Sequence, residues 1–169
     1  RTRAELESRK KNFLKIFKIL NYLKIFYFIQ GGTLLGAKRE KQFIKWDWDV
    51  EISLFHDDFK KNFNKIKKKL IKNNFSILKY NSNLNLKIDC YKDFNSETTT
   101  FTLLGWSYDK VKKIYYRGNI NIPKRFLNKY DQIYFYKKKF FAPYTITKYL
   151  SYQYGNWRLK KRSSVKSEY

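Results

Sequence analysis

Residues 47–51 read Asp-Trp-Asp-Val-Glu, an unbroken alternation of acidic and apolar side chains. Period-two patterning belongs to a strand, where alternate side chains share a face, so Asp47, Asp49 and Glu51 should project together, about 6.5–7 Å between successive ones. The pattern predicts a strand over 46–54, with Trp48, Val50 and Ile52 on the opposite face. Three like charges in a row repel unless a cation joins them. The grouping carries weight because the 169-residue chain has only 14 Asp+Glu against 38 Lys+Arg.

A further acid, Asp89, sits inside the apolar run Leu86-Lys-Ile-Asp-Cys-Tyr. If that run is the neighbouring strand, at about 4.8 Å, its carboxylate converges on the same point. Oxygen ligands of this kind suit Mg²⁺ or Mn²⁺, which take a few carboxylates and leave other positions to water and phosphate. Asp49, Glu51 and Asp89 are therefore the candidate metal ligands, with an ordinary solvated strand face as the plainer alternative. Upstream, residues 24–30 are dense in Ile, Phe and Tyr and read as a short buried strand. Gly31-Gly32 breaks it, and Thr33 is placed to cap a helix over 34–38. Such a turn lets backbone N–H groups approach a phosphate closely.

Around this block the chain reads as one domain over 1–159 followed by a basic polar tail, 160–169. An apolar stripe of Leu6, Phe13, Leu14, Phe17 and Leu20 predicts a helix over 5–21. Phe59, Phe63, Ile66 and Leu70 predict another over 58–72, with Asp57 as its cap. Strands are expected near 75–80 and 84–91 with a turn at 81–83, and again at 111–117 before Gly118-Asn119. The stretch 95–110 looks irregular, and 137–139 reads as a loop. Pro123 should start a short helix ending near Leu127, and a helix over 145–154 should stop at Gly155.

Several chemistries are excluded. One histidine, His56, cannot support a His-rich metal site or a Ser-His-Asp triad, and one cysteine, Cys90, forms no internal disulfide. Cys90 reads as a small buried hydrophobe and His56 as a helix-entry residue. The longest apolar run, residues 25–29, is far shorter than a membrane helix, and no secretory signal pattern opens the chain. A formal net charge of +24 suits a polyanionic partner such as nucleic acid. Yet Lys, Asn, Ile, Phe and Tyr dominate throughout, as AT-rich coding produces, so the lysines are expected to scatter, with a local cluster near Arg39.

The order of strand, Gly-Gly, short helix, loop and acid-apolar-acid strand resembles the signature of the nucleotidyltransferase superfold. More closely, residues 31–52, GGTLLGAKREKQFIKWDWDVEI, resemble the opening block of the LicD family, which includes fukutin and fukutin-related protein. That block reads Gly-Thr-Leu-Leu-Gly-Ala-x-Arg, a short loop, then Ile-Pro-Trp-Asp-Asp-Asp-Ile-Asp. Gly32 to Arg39 match without a gap, and Ile44, Trp46, Asp47 and Asp49 fall in step. Pro143, Tyr149, Leu150, Tyr154, Gly155 and Trp157 are similar to the family's closing segment. Lys45 replaces the usual proline, Trp48 an acid, and Glu51 an aspartate.

The resemblance implies an α+β domain: a mixed nucleotidyltransferase-type sheet, helices on one face and a C-terminal helical segment. It implies a phosphotransferase that moves phosphocholine or ribitol phosphate from a CDP-linked donor to a carbohydrate or glycoconjugate acceptor. Asp49, Glu51 and Asp89 would hold Mg²⁺ or Mn²⁺ against the donor pyrophosphate, and Asp47 would be a further ligand or the base for the acceptor hydroxyl. Gly31, Gly32 and Thr33 would cradle phosphate oxygens, with Arg39 as a charge-assisted phosphate contact. Trp106, Tyr116 and Trp157 are candidates for stacking on a base or sugar, with core packing the stronger reading for each. Two alternatives stay open: a nucleotidyltransferase acting on RNA, a protein or a small molecule, and an inactive binding member of the fold. The compartment leans cytosolic from the single cysteine, or Golgi behind an upstream anchor.

Overall fold

The computed structural model describes residues 1–81, 85–94 and 97–160. Most of the expected turn at 81–83, and all of the expected tail beyond Lys160, lie outside the described residues. Helix α1 (Arg3–Tyr22) forms where the stripe predicts it. Thr2 and Glu5 close its start reciprocally: Glu5 N–H donates to Thr2 Oγ1 at 3.2 Å, and Thr2 N–H to Glu5 Oε2 at 2.6 Å. Its inner face carries the aromatic core. The Phe13 ring meets Phe17 at 4.4 Å and Phe43 at 5.1 Å, both edge to face.

Helix α2 (Gly31–Arg39), strand β1 (Asp49–Phe55) and helix α3 (His56–Lys72) follow. Then come β2 (Ser76–Asn81), β3 (Lys87–Phe94), β4 (Glu97–Asp109), β5 (Ile114–Arg117) and β6 (Ile120–Pro123). Helix α4 (Lys124–Leu127), β7 (Tyr130–Phe135), β8 (Lys138–Pro143) and α5 (Ile146–Tyr154) complete the chain. Among the described residues, β1–β6 form one sheet and β7–β8 a separate hairpin. β1 runs parallel to β4, while the consecutive pairs from β2 to β6 are antiparallel. Helices α1 and α3 pack on each other and on β4, and α2 sits against β1 and β7. This is the expected α+β architecture.

Local details differ from the sequence reading, each for an identifiable reason. Residues 24–30 do not form a laddered strand: Lys24 sits in a turn with φ of 54°, and among the described residues the segment makes one bridge, Phe28 to Ser53. The next bond, from Ile29 N–H to the Phe141 carbonyl at 2.9 Å, goes to β8, so the segment is pinned between two partners instead of laddering with one. Strand β1 begins at Asp49, not at 46, because residues 44–47 turn, with Asp47 N–H bonded to the Ile44 carbonyl at 3.2 Å. Helix α3 is preceded by Phe55, so Asp57 is not its cap; Asp57 and Asp58 lie in the first turn, where negative charge favours the helix dipole.

The stretch read as irregular is β4, the strand that pairs with β1, β3 and β5. Its Thr, Phe and Leu residues are good strand formers, but with Phe101, Thr102, Leu103 and Leu104 all buried it lacks the half-exposed alternation that announces a strand. Residues 137–139 are not a loop: Lys138 opens β8, and Tyr136 and Lys137 form the two-residue hairpin turn with φ of 48° and 60°. Such turns normally use Asn or Gly, so nothing in Tyr-Lys signals one.

Cys90 on β3 is fully buried, as expected of a small hydrophobe. Burial, with the Asp89 charge second, pushes its thiol up to about 12. In the unfolded chain the thiol ionises near 9, so above that pH the unfolded state binds fewer protons and stability falls by about 1.4 kcal/mol per pH unit. Urea midpoints are expected to drop between pH 9 and pH 10, and the drop should flatten in Cys90→Ala. Equal slopes in the two proteins would show that Cys90 does not drive the loss. Above pH 10 the raised phenols of Tyr130, Tyr136 and Tyr149 act in the same direction, while Arg9, pushed down to about 10, acts oppositely.

Candidate active site at the start of helix α2

Helix α2 starts at Gly31 with Gln30 as its cap residue, one turn earlier than the Thr33 cap predicted from sequence. Thr33 does something else. Its buried Oγ1 accepts from Glu51 N–H at 3.0 Å and so ties the helix start to the middle of β1. Gly31 takes φ of +58°, a conformation that favours glycine. A Cβ on Gly31 would collide with Glu51 Oε2, and one on Gly32 with Asp47 Oδ2. Two carboxylates therefore lie directly over the first two residues of the helix, where unpaired N–H groups and the dipole favour negative charge.

Asp47 reaches this place from the turn before β1, so strand parity does not put it there. Its carbonyl is held by Arg9 Nη2 at 3.0 Å, a contact the sequence reading missed. Arg9 is buried on α1, with Nε and Nη1 lacking hydrogen-bond partners among the described residues. Burial lowers its pKa to about 10, while the charges of Asp47 and Asp49 pull it back up. The available signal was spacing: Arg9 falls between Leu6 and Phe13 on the apolar stripe, where a guanidinium must find an internal purpose.

Asp89 sits differently from its expected place. Strand β4 intervenes between β3 and β1, with Asp89 opposite Thr102 and Thr102 opposite Glu51. Glu51, Thr102 and Asp89 thus occupy one row on one face, and Asp89 is two strands, about 9.6 Å, from Glu51 in place of the expected one. Its carboxylate is engaged by Thr102 Oγ1 at 2.9 Å and Lys87 Nζ at 2.8 Å. Among the described residues no three acidic, His or Cys side chains already gather closely enough to hold an ion. Mg²⁺ commonly needs only one or two protein carboxylates plus phosphate oxygens, so Asp49 and Glu51, two apart on β1 and therefore on one face, with Glu51 at Gly31, fit such a cation in chemistry.

The C-terminal helix closes the site. Tyr149 on α5, fully buried, donates its hydroxyl to Gln30 Oε1 at 3.2 Å, immediately before the Gly-Gly pair. Tyr154 places its hydroxyl 3.9 Å from where a Gly31 Cβ would stand. Burial, then the charges of Glu51, Asp47 and Asp49, raise its pKa, so near neutral pH it is a protonated donor beside the acids. Arg39 takes up a structural post. It pairs with Glu40 at 2.9 Å and donates to the carbonyls of Trp157 at 3.2 Å and Leu159 at 3.3 Å. Trp106 and Trp157 are buried, Trp106 donating to Ser53 Oγ at 3.2 Å, and Tyr116 lies half-buried on β5. His56 contacts only its neighbour Asp57 in the described hydrogen bonds, at 3.2 Å.

Comparison with known proteins identifies the family. The family described as LicD/FKTN/FKRP, nucleotidyltransferase domain, matches residues 24–145. A similar protein is the lipopolysaccharide cholinephosphotransferase LicD of Haemophilus influenzae, 41% identical over 51 residues. That match covers 30% of this chain and 19% of the relative. The family match takes in α2, β1 and β3, the elements that carry Gly31, Asp49, Glu51 and Asp89, and so the chain belongs to the LicD/FKTN/FKRP nucleotidyltransferase-domain family.

Proposed function

We propose that the chain is a divalent-metal-dependent phosphotransferase that moves a phospho-alcohol group, of the phosphocholine or ribitol phosphate type, from a CDP-linked donor to a glycan or glycoconjugate. Family membership supports a transferase of phosphorylated groups; the finer reading rests on the site. Its main support is the placement of the Asp47 and Glu51 carboxylates over Gly31 and Gly32 at the start of α2. Phosphate oxygens of the donor would be received by the N–H groups of that helix end, which only glycine leaves room to approach. Mg²⁺ or Mn²⁺, held by Asp49 and Glu51, would neutralise the pyrophosphate charge as CMP departs. The acceptor hydroxyl oxygen bonds to the transferred phosphorus, the bond to CMP breaks, and Asp47 takes the hydroxyl proton. Tyr154, held protonated, donates to the charge that gathers beside Glu51. Asp89 buttresses the row through Thr102, and Lys87 balances its charge.

The test is release of CMP from CDP-choline or CDP-ribitol in the presence of Mg²⁺ and a glycan acceptor. Glu51→Gln keeps the size and removes the charge. We expect it to lower kcat by about 10²–10³-fold, the usual scale for an electrostatic group at a reacting centre. Release of pyrophosphate from an NTP, with no CMP from either donor, would replace this reading with nucleotidyl transfer. Full activity in Glu51→Gln would remove Glu51 from the site.

A further inference from the structure

The two triple-lysine runs, 67–69 and 137–139, lie far apart in the chain and outside the acidic block. The fold brings part of each to one place. Lys69 from the end of α3 and Lys138 and Lys139 from the start of β8 meet Lys11, Lys15 and Lys18 of α1 around one concave space of about 790 Å³. The α1 lysines recur at helical spacing with Tyr22, so they form one face of that helix, while Arg9 turns away from them to Asp47. Among the described residues no Asp or Glu lines the cavity, and the adjoining hollow past Lys11 and Leu14 holds Lys92 together with Glu7 and Asp93. The Lys92 ammonium has its pKa lowered by partial burial first and then by the charges of Lys15 and Lys11, which places like charges at close quarters. The expected scatter of lysines does not describe this surface.

Tyr22 stands at the cavity, exposed, with Lys69 Nζ 4.1 Å from its ring centroid. Tyr27 also lines it, its hydroxyl bonded to Asn21 Oδ1 at 2.9 Å. A concave surface with one sign of charge and apolar walls focuses its potential inward. We propose that this groove is a binding site for a compact soluble ligand carrying several phosphate groups. The volume is that of a site for one small molecule, roughly 300–1,000 Å³, and concavity suits such a ligand better than a flat lipid surface. Ammonium groups act there as separate point charges, which fits several phosphates spread along a ligand better than one planar carboxylate. The site is independent of the carboxylates at Gly31–Gly32.

Calorimetric titration of the full chain with tripolyphosphate, near physiological ionic strength, tests this. One saturable site is expected. The variant K15Q/K69Q/K139Q should weaken it roughly tenfold or more, as three lost charge contacts imply. The variant K60Q/K61Q/K65Q removes the same charge from exposed positions on α3 and should change affinity by less than about twofold. Arginine at the three groove positions should preserve binding, which also separates lost charge from lost fold. Equal loss in both glutamine variants would reduce the effect to net charge and overturn the site. So would the lack of saturable tripolyphosphate binding, or binding confined to anionic lipid vesicles or to an oligonucleotide.

Discussion

Gly31→Ala is expected to abolish most transfer activity while leaving the chain folded. The added methyl group occupies the position of Glu51 Oε2, the far end of a flexible side chain, so the carboxylate swings aside and the sheet need not move. Alanine at φ of +58° adds a backbone cost of about 1–2 kcal/mol, which a domain of ordinary stability survives. Displacing a catalytic group by about 1 Å can cost on the order of 10²-fold in rate. The expected result is therefore a rate loss of about 10²-fold or more with a melting temperature lowered by only a few degrees. Gly32→Ala should act in the same sense through Asp47. Retained activity in both variants would mean that neither carboxylate takes part from its present position.

The second large effect is on stability. Phe13→Ala should cost about 3–5 kcal/mol, the range for emptying a buried aromatic position. Phe13 is completely buried and touches aromatic rings from α1, the segment before β1, and both strands of the β7–β8 hairpin: Phe17, Phe43, Phe135 and Phe140. Its loss removes packing from three parts of the fold at once, and the cavity cannot collapse without moving them together. A melting temperature about 10 °C lower or more is expected. Tyr22→Ala on the same helix should change stability little, because Tyr22 is 69% exposed. Comparable losses in the two variants would mean that the aromatic cluster is not the centre of the core.

The sequence by itself determined the elements whose signals are local. Helix α1 follows from its stripe, α3 from Phe59 to Leu70, α5 from its stop at Gly155, and the family from the matched block at Gly32–Arg39 and Asp47–Asp49. It also named Gly31, Gly32, Asp47 and Glu51, which the fold brings together. What it did not reveal depends on neighbours distant in the chain. The middle of β4, residues 101–106, is buried on both faces, so it shows no alternation, and only the sheet order reveals that it stands between Asp89 and Glu51. Arg9 falls on the apolar stripe, but its partner is found only when α1 is docked against the turn at Asp47. Tyr149 and Tyr154 acquire meaning only when α5 folds back on Gln30 and Gly31, and the lysines of α1, α3 and β8 become one groove only when those elements pack. Apolar stripes act through residues a few positions apart and are written into any short window, whereas the caps expected at Thr33 and Asp57 are displaced once the chain entering each helix is fixed by packing. Strand order, burial of a charge and convergence of like charges are properties of packed surfaces, and these the tertiary structure alone decided.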